Sequence, residues 1–151
     1  MLYLRIAFLL LGTLIAQNAL AQKEEKAVKA VVNRFFEAME KKDTALLRST
    51  CTERPVFQTY MNNREGKLEL MTEDFSEFVA FVGAPSADKY AEKIAFEGVH
   101  VELTMASVWA PYKFYLNGKF LHCGTDSFQL IKKAGEWKIQ YILDTRRKNC
   151  P

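Results

Sequence analysis

The dipeptide Asn117-Gly118 lies between two long β-forming runs, Val108 to Leu116 and Lys119 to Leu130. Both central residues of a two-residue type I′ turn take positive φ, and Asn-Gly is the pair that meets this demand most readily. A hairpin with arms this long commits the C-terminal half of the chain to antiparallel sheet. The same hairpin carries His122 and Asp126, the best-placed polar pair in the sequence for a pocket.

The turn sets a register. Leu116 pairs with Lys119, and counting outward Tyr115 meets Phe120, Lys113 meets His122 and Trp109 meets Asp126. A second turn near Gly135, pairing Leu130 with Trp137, sets Phe128 against Ile139 and Asp126 against Tyr141. Side chains alternate along a strand, so Phe120, His122, Asp126, Phe128, Leu130, Trp137, Ile139, Tyr141 and Leu143 are expected on one face. That face is mostly apolar and is the one the helices should cover. A bulge at Pro111 would move the Trp109 end by one residue.

The N-terminus reads differently. One positive charge in Met1 to Arg5 precedes an apolar run from Ile6 to Ile15, and Ala19-Leu20-Ala21 supplies small residues beyond it. This is the pattern of a secretory signal peptide cleaved after Ala21, leaving a domain over 22–151. The run falls short of the ~20 apolar residues of a spanning helix, so no membrane association is expected after cleavage. The expected location is secreted or periplasmic. Cys51, Cys123 and Cys150 would meet an oxidising compartment, where three thiols allow at most one internal bridge. Cys150 on its tail can reach either of the others, and buried or free thiols are the alternative. The 151 residues suit one domain, and a net charge of +3 from scattered Lys and Arg excludes a nucleic-acid footprint.

Val28, Val31, Val32, Phe35, Phe36 and Met39 recur at helical spacing and predict a helix from Glu24 to Lys41. Asp43 can cap a short helix from Thr44 to Ser49. Pro55 to Met61 reads as a strand, with Leu68 to Met71 pairing back. Thr72 is placed as the N-cap of a helix carrying Phe75, Phe78, Val79 and Val82, ended by Gly83-Ala84-Pro85. Strands follow over Ala91 to Glu97, Val99 to Leu116, Lys119 to Lys132 and Glu136 to Arg146. Helices grouped ahead of an antiparallel meander imply an α+β domain.

This order resembles the nuclear transport factor 2-like (SnoaL-like, ketosteroid-isomerase-like) superfamily. The resemblance rests on the opening helix ending in Phe35-Phe36-Glu-Ala-Met-Glu-Lys-Lys-Asp43 and on the closing Asp126-Ser-Phe-Gln-Leu-Ile-Lys-Lys-Ala-Gly-Glu-Trp-Lys-Ile139. It is similar to small exported bacterial members of unassigned function. It implies a conical, curved antiparallel sheet wrapped around the N-terminal helix, the cystatin-like α+β barrel. Isomerase-like members use a pocket carboxylate as base with a tyrosine and a second acid as donors. Asp126 and Tyr141 match part of that set. Cyclase-like members pair an Asp with a His, which Asp126 and His122 imitate. Epoxide-hydrolase-like members need an Asp-Arg-Asp relay, and no Arg reads as inward in the central strands.

Asp126 on an apolar face is either a general base with a raised pKa or an acceptor for Tyr141 or Trp109. His122 is either its acid/base partner or a hydrogen-bonded core residue. Four residues along one strand put about 13 Å between the two, so they can flank a ligand but not form a dyad. Trp109, Tyr112, Tyr115, Phe128 and Tyr141 are the expected lining. His100 sits near the mouth of another strand. Asp144-Thr-Arg-Arg-Lys148 is a charged strand end, either an anionic rim or, the favoured reading, a solvated terminus. The expected function is an exported small-ligand-binding domain with an apolar, aromatic-lined pocket. The alternative is an isomerase or polyketide-cyclase-like lyase with Asp126 as general base. No metal cluster, phosphate loop or nucleophile elbow is visible, so neither metal nor cofactor is expected. The partners expected are a small apolar molecule and a second copy of the chain. That copy would pair through an outward apolar set of Ala106, Val108, Ala110, Tyr112 and Phe114.

Overall fold

A computed structural model describes residues 2–150, with side chains from residue 19 onward. Helix α1 (Leu2–Lys41) runs into α2 (Thr44–Thr50), strands β1 (Cys51–Asn62) and β2 (Leu68–Glu73), and helix α3 (Phe75–Gly83). Strands β3 (Tyr90–Ile94), β4 (Gly98–Glu102), β5 (Met105–Leu116), β6 (Lys119–Lys133) and β7 (Glu136–Thr145) follow. The expected leader falls mostly on residues whose side chains lie outside the described ones. Among the described residues no helix is long and apolar enough to cross a membrane.

Helix α1 buries Val28, Val32, Phe35 and Ala38 along one stripe, the face its periodicity dictates. It stops at Lys42, which takes φ +56. There Asp43 N–H reaches Ala38 O at 2.9 Å and Lys42 N–H reaches Met39 O at 3.2 Å, the two bonds of a Schellman stop. The same Asp43 then caps α2, its carboxylate accepting Leu46 N–H at 2.9 Å. Helix α3 is capped by Asp74, which accepts from Ser76 N–H and Glu77 N–H at 2.8 and 3.1 Å. The expected cap, Thr72, stays in β2 opposite Gln58. A carboxylate placed two residues later caps as well as a hydroxyl or better, and it leaves β2 two residues longer.

The strands form one curved sheet in the order β2-β1-β7-β6-β5-β3, with β4 also on β5. Every pair is antiparallel except β1 with β7, which are parallel. The sheet is therefore mixed and unclosed rather than a purely antiparallel meander. The segment expected as one strand, Val99 to Leu116, is instead the hairpin β4/β5. It turns at Leu103, whose φ is +51. Strands β3 and β4 pair with successive halves of β5, bridged by Ala95 N–H to Pro111 O and Glu97 N–H to Trp109 O.

The Asn117-Gly118 turn forms as expected, with φ of +52 and +76 and Leu116 opposite Lys119. Two bulges then displace the expected register. Leu121 is an extra residue on β6, so His122 pairs with Phe114 and Asp126 with Ala110. The second turn pairs Lys133 with Glu136 and so sets Leu130 opposite Ile139 rather than Trp137; Gln140 is then an extra residue on β7, so Phe128 pairs with Ile142 and Asp126 with Asp144. Each bulge inverts which residues beyond it face inward. His122, Asp126, Phe128, Leu130, Trp137 and Ile139 lie on the inner face as expected, but Ile142 and Asp144 replace Tyr141 and Leu143 there. Phe120 stays exposed.

The inner face packs on the helices around Phe35, whose ring meets Phe36, Phe57, Phe78 and Phe128. Glu24 ties the helix to the β6/β7 turn end of the sheet by accepting from Trp137 Nε1 at 2.8 Å and Lys132 Nζ at 2.7 Å. Ala106, Val108, Ala110 and Tyr112, expected on the outer face, are at most 4% exposed and belong to the inner one. The exposed positions of β5 are instead Met105, Trp109 and Lys113.

Candidate functional site

A cavity of about 420 Å³ opens between α1, α3 and the concave face of the sheet. Its apolar part is walled by Phe35, Phe36, Met39, Phe78, Phe114 and Phe128, and Phe81 and Tyr90 also line it. Its polar part gathers carboxyl groups from four strands: Glu73 of β2, Glu92 of β3, Asp126 of β6 and Asp144 of β7. Arg146, just past β7, points into the same space, as do Tyr112 and His122.

Asp126 and Asp144 are cross-strand partners, 4% and 9% exposed. Like charges placed directly opposite repel, and the two carboxyls are resolved in different ways. Asp144 is surrounded by donors. It accepts from Thr59 Oγ1, from Tyr112 Oη at 3.2 Å and from Arg146 Nε at 3.0 Å, the last an ion pair. Asp126 has no such help. Its register neighbour on the other side is Ala110, and its Oδ2 is sealed without a donor.

The polar group that meets Asp126 is the carboxyl of Glu92. Two carboxyls can share a hydrogen bond only if one of them carries the proton. Burial first, then the charges of Glu92 and Asp144, hold Asp126 well above the ordinary carboxylate range. Burial likewise pushes Glu92 up, to about 7, while its bond with Asp126 works the other way. The bond between them raises Asp126 and lowers Glu92, so the proton of the pair lies on the Asp126 side, and Glu92 lines the cavity beside it. Burial also raises Glu73 and lowers His122, so His122 is a neutral imidazole at neutral pH. Its ring stacks on Phe114 at 4.8 Å and meets Tyr112 edge-on. Burial and Asp144 keep the Tyr112 phenol protonated.

The C-terminal tail completes this end. Cys123 and Cys150 are joined by a disulfide, and Cys123 also exchanges backbone hydrogen bonds with Arg147 at 2.9 and 2.8 Å. These clasps lay the tail against β6 and bring Arg146 inward. Gly124 permits the contact. A Cβ there would stand 1.7 Å from Thr145 O and 2.8 Å from the Tyr112 ring. Thr145 O accepts Tyr112 Oη at 3.0 Å. Cys51 is a buried thiol whose burial pushes it up to about 11, which leaves it inert.

Of the residues singled out from sequence, Asp126, His122, Tyr112 and Phe128 line the cavity. Trp109 is 54% exposed on the opposite face. Tyr115 lies outward with Lys93 over its ring. Tyr141 is turned outward by the Gln140 bulge and donates to Gln58 Oε1 at 2.7 Å. Neither Trp109 nor Tyr141 serves Asp126 as a donor. His100 lines a separate groove beside α1. Glu92 and Glu73 carry no signal that marks them in the sequence, and Asp144 and Arg146 read there only as part of a charged strand end. The Asp144–Lys148 segment is not a solvated terminus, because Asp144 is buried and Arg146 turns inward. That inward Arg removes the ground on which an Asp-Arg-Asp relay was excluded. The relay is nonetheless not assembled, since Arg146 bonds Asp144 and Thr59 while Asp126 meets Glu92. Nor do the described carboxyls converge in a group that could hold a metal ion.

No protein-family model matches this sequence, and no curated protein matches it. Solved structures do. An NTF2-like protein with a cystatin-like fold from Novosphingobium aromaticivorans superposes with a TM-score of 0.71 at 12% identity, over 91% of this chain and 91% of that one. A conserved protein from Planctomyces limnophilus gives 0.67 at 20% identity, over 83% and 98%. An NTF2-like protein of unknown function from Shewanella baltica gives 0.63 at 16%, over 84% and 96%. The helix-then-curved-sheet order expected from the sequence is thus the architecture observed, and the chain has the NTF2-like, cystatin-like fold.

Proposed function

We propose that this chain is an exported domain that binds a small, largely apolar molecule in the cavity between α1, α3 and the sheet. The observation that carries the reading is the cavity's composition. Aromatic walls can take an apolar body, and a short set of buried polar groups can orient one end of it, the usual anatomy of a small-molecule site. Its volume of about 420 Å³ falls in the range of such sites. Thermal-shift measurements over a metabolite panel test it. A ligand that stabilises the native chain but not Asp126→Asn or His122→Ala is the expected result. For a confirmed ligand, shifts unchanged in both variants would remove the two residues from the site. Export is tested by N-terminal sequencing of the protein recovered from its producing cells, with Gln22 as the expected first residue.

A second reading is a proton-transfer enzyme of the isomerase or lyase type. The Glu92–Asp126 pair favours it, because a general base works best when its pKa lies near the working pH. Here Glu92 is the base and Asp126 the protonated donor, the reverse of the assignment that makes Asp126 the base. A pH–rate profile that keeps its lower limb in Glu92→Gln would exclude this assignment.

Pairing with a second copy rests on exposed apolar residues of the outer sheet face. Met105 and Ile131 are register partners there, and Trp109 lies two positions further along β5 from Ser107. Sedimentation of Trp109→Lys at high concentration tests it, with a shift toward monomer expected.

A further inference from the structure

We propose that the ligand of this cavity is a small organic cation, a protonated amine on an apolar body, whose ammonium group sits between Glu92 and Asp126. The inference rests on the binding reading above and names the chemistry of its ligand.

The cavity is unbalanced in charge. Glu73, Glu92, Asp126 and Asp144 face it, and among the described residues lining it Arg146 is the one permanent cation. Arg146 is committed to Asp144 through Nε at 3.0 Å. Thr59 and Tyr112 also donate to Asp144, so its acceptor capacity is largely used. His122 stays neutral and brings no charge. Three carboxyls from β2, β3 and β6 are left without a counter-cation.

Acidic residues gathered together do not make a site. What singles this one out is Asp126, which is 4% exposed, lines the cavity and has an oxygen that no protein group donates to. A buried carboxyl without a donor costs stability that a Leu in its place would not. The empty chain meets the demand with a proton shared with Glu92. An ammonium group offers up to three N–H donors and a full positive charge at the same point. It would pair with the ionised Glu92 and give the sealed oxygen of Asp126, which keeps its proton, the donor it lacks. The ring face of Phe114 and the aromatic walls beyond it suit both a cation and an apolar body. An anion would meet the opposite of what it needs. A neutral alcohol offers a single donor and leaves the charge uncompensated.

Displacement of a proton dictates the pH dependence. Below about 7, where Glu92 holds its proton, the amine must expel it, so affinity falls roughly tenfold per pH unit. Above that range affinity is level until the amine itself loses its charge.

Calorimetric titration of the full chain with phenylbutylamine and with the isosteric phenylbutanol, at about pH 8 and about pH 5.5, tests the proposal. The amine is expected to bind roughly tenfold or more tighter than the alcohol at the higher pH, as a desolvated charge pair warrants. It should lose at least tenfold at the lower pH, while the alcohol is unchanged. Asp126→Asn and Glu92→Gln should abolish the preference and keep alcohol binding. Should either variant fail to fold, the pH dependence of the unsubstituted chain decides. Equal affinity for both probes, or an amine preference that survives both substitutions, overturns the cation while leaving the binding cavity standing. Failure of both probes to bind at millimolar concentration overturns the two together.

Discussion

Asp126 on β6 and Asp144 on β7 stand directly opposite one another on the inner face of the sheet, and only Asp144 is given donors. A fold stabilised for its own sake would not place two carboxyls as cross-strand partners in its core. The asymmetry between them organises the polar end of the cavity. Asp144 anchors Tyr112, Thr59 and Arg146, and Asp126 is left to share a proton with Glu92.

Stability should depend on this pair. Glu92 is raised from 4.5 to about 7, so between those values the native chain holds more protons than the unfolded one. Its contribution is therefore most favourable below 4.5 and is lost as pH rises toward 7. Glu92→Gln removes the group that titrates, keeps an oxygen for Asp126 to bond, and flattens the fall. The expected gain near pH 8 is roughly 1–3 kcal/mol, since each pH unit by which burial raises Glu92 costs the ionised native chain about 1.4 kcal/mol. Urea unfolding at a series of pH values measures it. A variant with the same slope as the unsubstituted chain would contradict the shared proton.

Tyr112→Phe deletes the hydroxyl that bonds both Asp144 and Thr145 O. Two buried acceptors lose a donor and the ring packing is kept. A loss of about 1–3 kcal/mol is expected. Equilibrium denaturation gives the value, and a change within error of zero would mean that solvent replaces the hydroxyl.

Gly124→Ala should be more damaging than its size suggests. The added carbon collides with the backbone of Thr145 and with the Tyr112 ring, neither of which can rotate aside. Moving the tail breaks its clasp on β6 and withdraws Arg146, at a cost of about 1–3 kcal/mol or more. Denaturation midpoints and ligand-induced thermal shifts should both fall. A variant that keeps its shifts would show that the tail does not shape the cavity.

Reduction of Cys123–Cys150, or Cys150→Ser, frees the same tail by another route. The bridge spans 27 residues, and its loss is expected to cost about 2–4 kcal/mol. Cys51→Ser does not touch the bridge and should leave the reduced and oxidised forms as far apart as before. Denaturation with and without reductant measures the difference.

The fold was legible in the sequence where local rules decide, and illegible where one extra residue overrides them. Asn117-Gly118 named its own turn, and alternation from it set His122, Asp126, Phe128 and Leu130 on the inner face. The bulges at Leu121 and Gln140 carry no Gly or Pro to announce them, yet each moves the register by one. Tyr141 and Leu143 were thereby exchanged for Ile142 and Asp144. The turn at Leu103 lacks the usual turn residues, so β4 and β5 read as one strand. Arg146 and Asp144 looked solvated because their neighbours are charged. Their inward turn depends on the Cys123–Cys150 bridge and on the space at Gly124, both of them long-range. Glu92 sits beside Lys93 in a short strand and is marked out only by the carboxyl it meets across the cavity.

The polar end of the cavity turns on one proton shared by Glu92 and Asp126. Carbon-detected NMR titration of the side-chain carboxyls, with assignments checked in Glu92→Gln and Asp126→Asn, tests it most directly. Glu92 is expected to titrate at about 7 and Asp126 to stay protonated above the ordinary carboxylate range. Both signals should move when the Glu92→Gln or Asp126→Asn substitution removes the partner. Two independent titrations near 4, the usual range for exposed carboxylates, would contradict it.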